Sequence, residues 1–169
     1  TLWDSSEGIV ATWALVLENY PEIHKKVTAE ELASNFGLPL EQIARNMFPD
    51  QPESLRQQLM AECGEKENLY LAEHGGLLYP KLEETLRNLS EKYPLFIVSN
   101  CQDGYIQSFY SGNHTEKYFK DCECIGVTGK SKGENIRLVM ERNGLKAPVY
   151  VGDTQGDADA AAQAGIPFI

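Results

Sequence analysis

Residues 149–161 read VYVGDTQGDADAA. The triplet Val149-Tyr150-Val151 predicts a short strand, and Gly152-Asp153 ends it. The Ala-rich run that follows predicts a short helix closed by Gly165. A strand therefore hands over to a helix through a tight turn that carries carboxylates. Working back, Leu95-Phe-Ile-Val98 is a second apolar run, ending in Ser99-Asn100. Cys124-Ile-Gly-Val127 is a candidate strand between the two, and Pro167-Phe-Ile169 is a fourth. The intervening segments read as helices. Pro80 opens one with Leu82, Leu86 and Leu89 inward, and residues 133–143 form another with Gly144 at a left-handed C-cap. Strands alternating with helices predict an α/β fold whose parallel sheet is covered on both faces. In such sheets ligands bind beyond the carboxyl ends of the strands, where Ser99-Asn100 and Gly152-Asp153 lie.

Residues 5–74 have a different texture and read as helices only. Ile9, Val10, Trp13, Val16 and Leu17 recur at helical spacing. Thr28 and Glu31 form a capping box for a helix that Gly37 stops. Pro39 opens another with Leu40, Ile43, Ala44 and Met47 on one face, and Pro52 precedes a longer one through about Ala72. Gly75-Gly76 breaks this pattern.

Composition narrows the classes. The chain has 169 residues, 42% hydrophobic and 24% charged, which is ordinary for a globular protein. Asp plus Glu number 25 and Lys plus Arg 15, a net charge of −10. So acidic a chain is not expected to bind nucleic acid or an anionic membrane. No apolar run has transmembrane length and no secretion signal is evident. Cys63, Cys101, Cys122 and Cys124 show no metal-ligand spacing, and reduced thiols and a cytoplasmic location are expected.

The chemistry concentrates at the strand ends. Asp153 and Asp157 are four residues apart across the turn. Two close carboxylates repel unless a cation lies between them, and residues 147–169 hold no Lys, Arg or His. A hard divalent ion, Mg²⁺, is the expected partner; the alternative is a turn former and a helix-start acid. The Ser99 hydroxyl, followed by the backbone N–H groups of Asn100 and Cys101, forms a cradle suited to phosphate. Residues 117–146 carry seven Lys or Arg against four Asp or Glu, +3 where the rest of the chain is −13. Lys130 and Lys132 in that stretch follow the second strand and would hold a phosphoryl group; the alternative is a solvated charged loop.

Taken together, these segments resemble the haloacid dehalogenase superfamily, and within it the phosphoglycolate-phosphatase-like hydrolases with a helical cap. TLWDSSEG (1–8) resembles the tail of that family's first motif, Asp-x-Asp-Gly-Thr-Leu-x-Asp-Ser. LFIVSN (95–100) resembles the second motif, a lysine in GKSKGENI (129–136) the third, and VGDTQGDADAA (151–161) the fourth. LLYPKLEETLRNL (77–89) resembles the return from the cap. The resemblance implies a Rossmann-like parallel-sheet core over 1–12 and 77–169, with a small all-helical cap over 13–76. It implies Mg²⁺-dependent hydrolysis of a small phosphorylated metabolite through an aspartyl phosphate. Ser99 and Asn100 would bind the phosphoryl group, Lys132 or Lys130 would hold it, Asp153 would ligate Mg²⁺, and Asp157 would support that metal site. The family's aspartate nucleophile would lie just before Thr1, together with a central strand. The sequence is therefore expected to be part of a longer protein and, by itself, to lack turnover. A phosphomutase on the same scaffold and a non-catalytic Mg²⁺- or phosphate-binding module are the alternative readings.

Overall fold

The capping residues legible in the sequence set the helix boundaries of the first half. The computed structural model describes all of residues 1–169. A two-residue strand β1 (Trp3–Asp4) leads into α1 (Ser6–Leu17), which buries Ile9, Trp13, Val16 and Leu17. Thr28 accepts the Glu31 N–H at 3.2 Å and starts α2 (Ala29–Ala33). Pro39 and Pro52 precede α3 (Leu40–Met47) and α4 (Glu53–His74), where their missing N–H groups leave no helical bond unmade. These four helices enclose the main hydrophobic core, with Met47, Leu59, Cys63 and Leu71 wholly buried. Truncating such a Leu typically costs about 2–5 kcal/mol. The expected core–cap boundary between residues 12 and 13 falls inside α1, which runs through it unbroken.

A short antiparallel pair, β1 with β2 (Leu77–Leu78), carries the chain back out. Then follow α5 (Leu82–Ser90), β3 (Leu95–Ser99), α6 (Tyr105–Asn113), β4 (Phe119–Cys124), α7 (Ile125–Thr128), α8 (Lys132–Arg142) and α9 (Gln155–Ala164). β3 and β4 are parallel, with Ser99 opposite Cys124. Helix α4 lies on α6 so closely that a Cβ on Gly112 would sit 2.1 Å from the Leu71 carbonyl oxygen.

The second strand differs from expectation. It is Phe119–Cys124, and Cys124-Ile-Gly-Val127 instead turns into the helical α7. Its polar members Asp121 and Glu123 misled the hydrophobic pattern. Both pair with the one guanidinium of Arg142 on α8, at 2.8 Å and 3.0 Å. The two remaining strand segments meet in one parallel bridge, Tyr150 with Phe168, flanked by backbone bonds from Tyr150 N–H to Pro167 O and from Ile169 N–H to Tyr150 O, both 2.9 Å. β3 pairs with β4 on one edge and with no strand on the other, and its five residues stay half-buried throughout. The Tyr150 hydroxyl instead reaches across to the Val98 carbonyl at 2.7 Å.

Candidate phosphoryl-binding site

The turn after Val151 is built around one carboxylate. Thr154 caps α9 by accepting the Asp157 N–H at 3.2 Å. Asp157 answers as the third helical residue, its Oδ2 accepting the Thr154 N–H at 3.1 Å and hydroxyl at 2.8 Å. The same oxygen accepts the Asp153 N–H at 3.3 Å, which fixes the backbone from which Asp153 projects. Gly152 is required at the strand end, because a Cβ there would lie 2.6 Å from the Asp157 Cβ.

Lys132 comes from the first turn of α8, whose start is set by a Ser131–Glu134 capping box. Its Nζ donates to Asp157 Oδ1 at 2.6 Å, and both residues are buried, 8% and 5% exposed. Burial alone would raise the Asp157 pKa; Lys132 and the Thr154 groups outweigh it and hold the carboxyl below its ordinary value. Tyr150 ties this pair to the other strand, its hydroxyl lying 3.5 Å from Asp157 Oδ1 while it donates to Val98 O. Lys130 lies apart. It is exposed and lines a shallow depression with Glu134, Arg137 and Glu141 on the outer face of α8.

At the end of β3, Ser99 Oγ accepts the Cys101 N–H at 3.3 Å. The next side chain, Asn100, donates to the Gly37 carbonyl at 2.9 Å. Gly37, in the turn between α2 and α3, has φ +86°, and a Cβ there would meet Thr154 Cγ2 at 3.2 Å. This turn thus touches both strand ends. Gly37 marked only a helix stop in the sequence; the turn's place at the site depends on how the helical segment folds back, and no local pattern reports that.

Asp153 is the open carboxylate, with its side chain 60% exposed. The Thr1 hydroxyl donates to Oδ1 at 2.5 Å, and the Thr1 amine lies 3.4 Å away. Hydrogen bonding from Thr1 holds the Asp153 pKa below its ordinary value.

A divalent cation needs anionic oxygens with a lone pair to spare. Asp153 meets that need. Asp157 does not, because Oδ1 is taken by Lys132 and Oδ2 by three donors. It fits a supporting role, orienting Asp153 and Lys132. No group of three or more Asp, Glu, His or Cys residues is placed to hold a metal. Asn100, Lys132, Asp153 and Asp157 are therefore linked through Tyr150, Thr154 and Gly37; Ser99 joins them only through its chain neighbours Val98 and Asn100, and Lys130 lies outside. Tyr150, Thr154 and Gly37 were not singled out by the sequence as site residues. The Thr154–Asp157 capping spacing was a signal that would have found one of them.

Comparison with known proteins follows the same lines. The whole chain, residues 1–169, matches the family described as haloacid dehalogenase-like hydrolase. A Bacteroides fragilis chain assigned to the haloacid dehalogenase-like hydrolases superposes with TM-score 0.81 at 25% identity, covering 99% of this chain and 81% of that one. A Haemophilus somnus protein predicted to be a phosphoglycolate phosphatase gives TM-score 0.83 at 18% identity, covering 99% and 79%. A Bacillus subtilis chain assigned to the same hydrolases, solved with bound magnesium, gives 0.70 at 18%, covering 99% and 82%. No curated protein matches the chain at a significant level.

Proposed function

Because the chain belongs to the haloacid dehalogenase-like hydrolase family, we propose that it serves the Mg²⁺-dependent hydrolysis of a small phosphomonoester through an aspartyl-phosphate intermediate. The observation that carries this reading is the meeting of two strand ends, one bearing Ser99-Asn100 and the other Asp153, over the buried Lys132–Asp157 pair. Two solved structures of the same fold support it, one predicted to be a phosphoglycolate phosphatase and the other a hydrolase bound to magnesium.

In this reading the Ser99 hydroxyl, whose oxygen already accepts the Cys101 N–H, donates its own hydrogen to one of the phosphoryl oxygens. Lys132 keeps donors beyond the one given to Asp157 and directs positive charge toward the same oxygens. Asp153 would hold Mg²⁺, which when bound offsets charge on the transferring group. Asp157 fixes the other two by accepting from each. The reading requires an aspartate nucleophile. Its carboxylate attacks phosphorus and the alcohol leaves; water then cleaves the acyl phosphate.

The test is phosphate release from a panel of phosphomonoesters, with and without Mg²⁺, by the protein with the aspartate nucleophile in place. Asp153→Asn is expected to abolish the Mg²⁺-dependent part. Turnover equal to that of the unsubstituted protein would remove Asp153 from the metal site and overturn the reading.

A further inference from the structure

Two of the four cysteines face each other beside the site, for reasons of strand register. β3 and β4 run parallel with Ser99 opposite Cys124. Beyond that pair the two chains stay in contact, and the Gly126 N–H donates to the Cys101 carbonyl at 3.1 Å. Gly126 permits the approach, since a Cβ there would lie 2.2 Å from the Asp103 nitrogen. Cys101 is thereby brought beside Cys124. The Cys124 sulfur also lies 3.7 Å from the Gln102 carbonyl oxygen and is approached by the N–H groups of Gly126 and Val127.

We propose that Cys101 and Cys124 are a redox pair that a peroxide converts to a reversible disulfide. The same contacts polarise the pair. Interaction with the Cys101 side chain, helped by the Gly126 and Val127 N–H groups, outweighs burial and brings the Cys124 pKa down to about 7. That interaction, together with burial, keeps Cys101 a thiol. Cys63 and Cys122 are both pushed the other way, chiefly by burial. Reactivity of a cysteine follows its thiolate fraction, so Cys124 is the attacking sulfur and Cys101 the resolving one. Cys124 is 3% exposed and Cys101 is only partly buried, which suits a small oxidant such as hydrogen peroxide.

The steps balance. The Cys124 thiolate attacks one peroxide oxygen, the O–O bond breaks, and the hydroxide released takes up the proton that the thiol had lost. Cys124 is now a sulfenic acid, oxidised by two electrons. The Cys101 sulfur attacks the Cys124 sulfur, the S–O bond breaks, and the departing hydroxide leaves as water with the Cys101 proton. Two thiols and one peroxide give one disulfide and two waters. The Cys101 N–H donates to Ser99 Oγ, so the new bond ties the Ser99–Cys101 loop to β4. Only the expectation that oxidation then slows turnover rests on the phosphoryl reading; the disulfide itself does not.

The test counts thiols. The reduced chain is treated with excess hydrogen peroxide, alkylated under denaturing conditions and weighed. Two of the four cysteines are expected to escape alkylation and to reappear after dithiothreitol. Digestion with trypsin is expected to join peptide 93–117 to peptide 121–130, with fragmentation placing the bond on Cys124. Cys122→Ser should retain the link and Cys124→Ser should lose it. In Cys101→Ser, a sulfenic acid trappable by dimedone should remain on Cys124. Four alkylated thiols after peroxide, or a bond through Cys122 or Cys63, would overturn the proposal. Neither outcome bears on whether the protein hydrolyses phosphomonoesters.

Discussion

Lys132 and Asp157, 25 residues apart in the chain, are joined by a 2.6 Å ion pair that is almost wholly out of solvent. Neither partner tolerates loss of the other, because an unpaired buried charge costs far more than the pair gains. Lys132→Met is expected to lower unfolding stability by about 3 kcal/mol. Adding Asp157→Asn to Lys132→Met should restore most of that loss. Urea denaturation of the two single variants and the double variant checks this; additive losses would show that the two side chains do not act as a pair.

Glu67 on α4 makes stability depend on pH. It is 5% exposed, takes the Trp13 indole N–H at 2.9 Å, and also accepts from Gln102 in the loop after Ser99-Asn100. Burial outweighs these two hydrogen bonds and lifts its pKa from 4.5 to about 7. Its folded pKa lies above the unfolded one, so the protonated form favours the folded state. That stability is fully present below about pH 4.5 and is lost as pH rises through about 7. The difference amounts to about 3 kcal/mol. Subtracting the stability profile of Glu67→Gln from that of the unsubstituted chain is expected to leave a fall of this size between those two pH values. A flat difference would show that Glu67 is ionised throughout.

Gly152 carries no functional group, yet its replacement should disturb the site. A methyl group there would press on the Asp157 Cβ at 2.6 Å, and Asp157 orients both Asp153 and Lys132. Gly152→Ala is expected to cost about 1–3 kcal/mol as overpacking. Amide resonances of Asp153 and Thr154 should shift with it, since both donate to Asp157 Oδ2. Unchanged resonances at these two residues would contradict the crowding described.

The helices were legible because their ends are chemical. Thr28, Pro39 and Pro52 start helices where caps and first-turn prolines should, and Gly37 and Gly144 have positive φ where helix stops were expected. β3 was legible because Leu95–Val98 is continuously apolar. β4 was not, since it alternates with acids that pair with a distant arginine, Arg142. Ile125-Gly-Val127, which looks like a strand by composition, is instead a helical turn whose Thr128 hydroxyl donates to Asn135 at 2.8 Å. At the site, the acids could be named from spacing, and the lysine only as one of the pair Lys130 and Lys132. The division of labour between Asp153 and Asp157 could not, because it depends on which oxygens Lys132 and Thr154 already occupy. Tyr150 was read only as a strand former, and its second role appears once Val98 lies across from it.

The mutual neutralisation of Lys132 and Asp157 has a consequence for how an anion arrives. With that cation already matched, the exposed Asp153 adds to the field of a molecule carrying a net −10. A doubly negative substrate approaches against this field, and dissolved ions shorten its reach to about 8 Å at physiological ionic strength. Capture should therefore quicken as salt is added, opposite to the behaviour of enzymes that draw their substrates in by attraction.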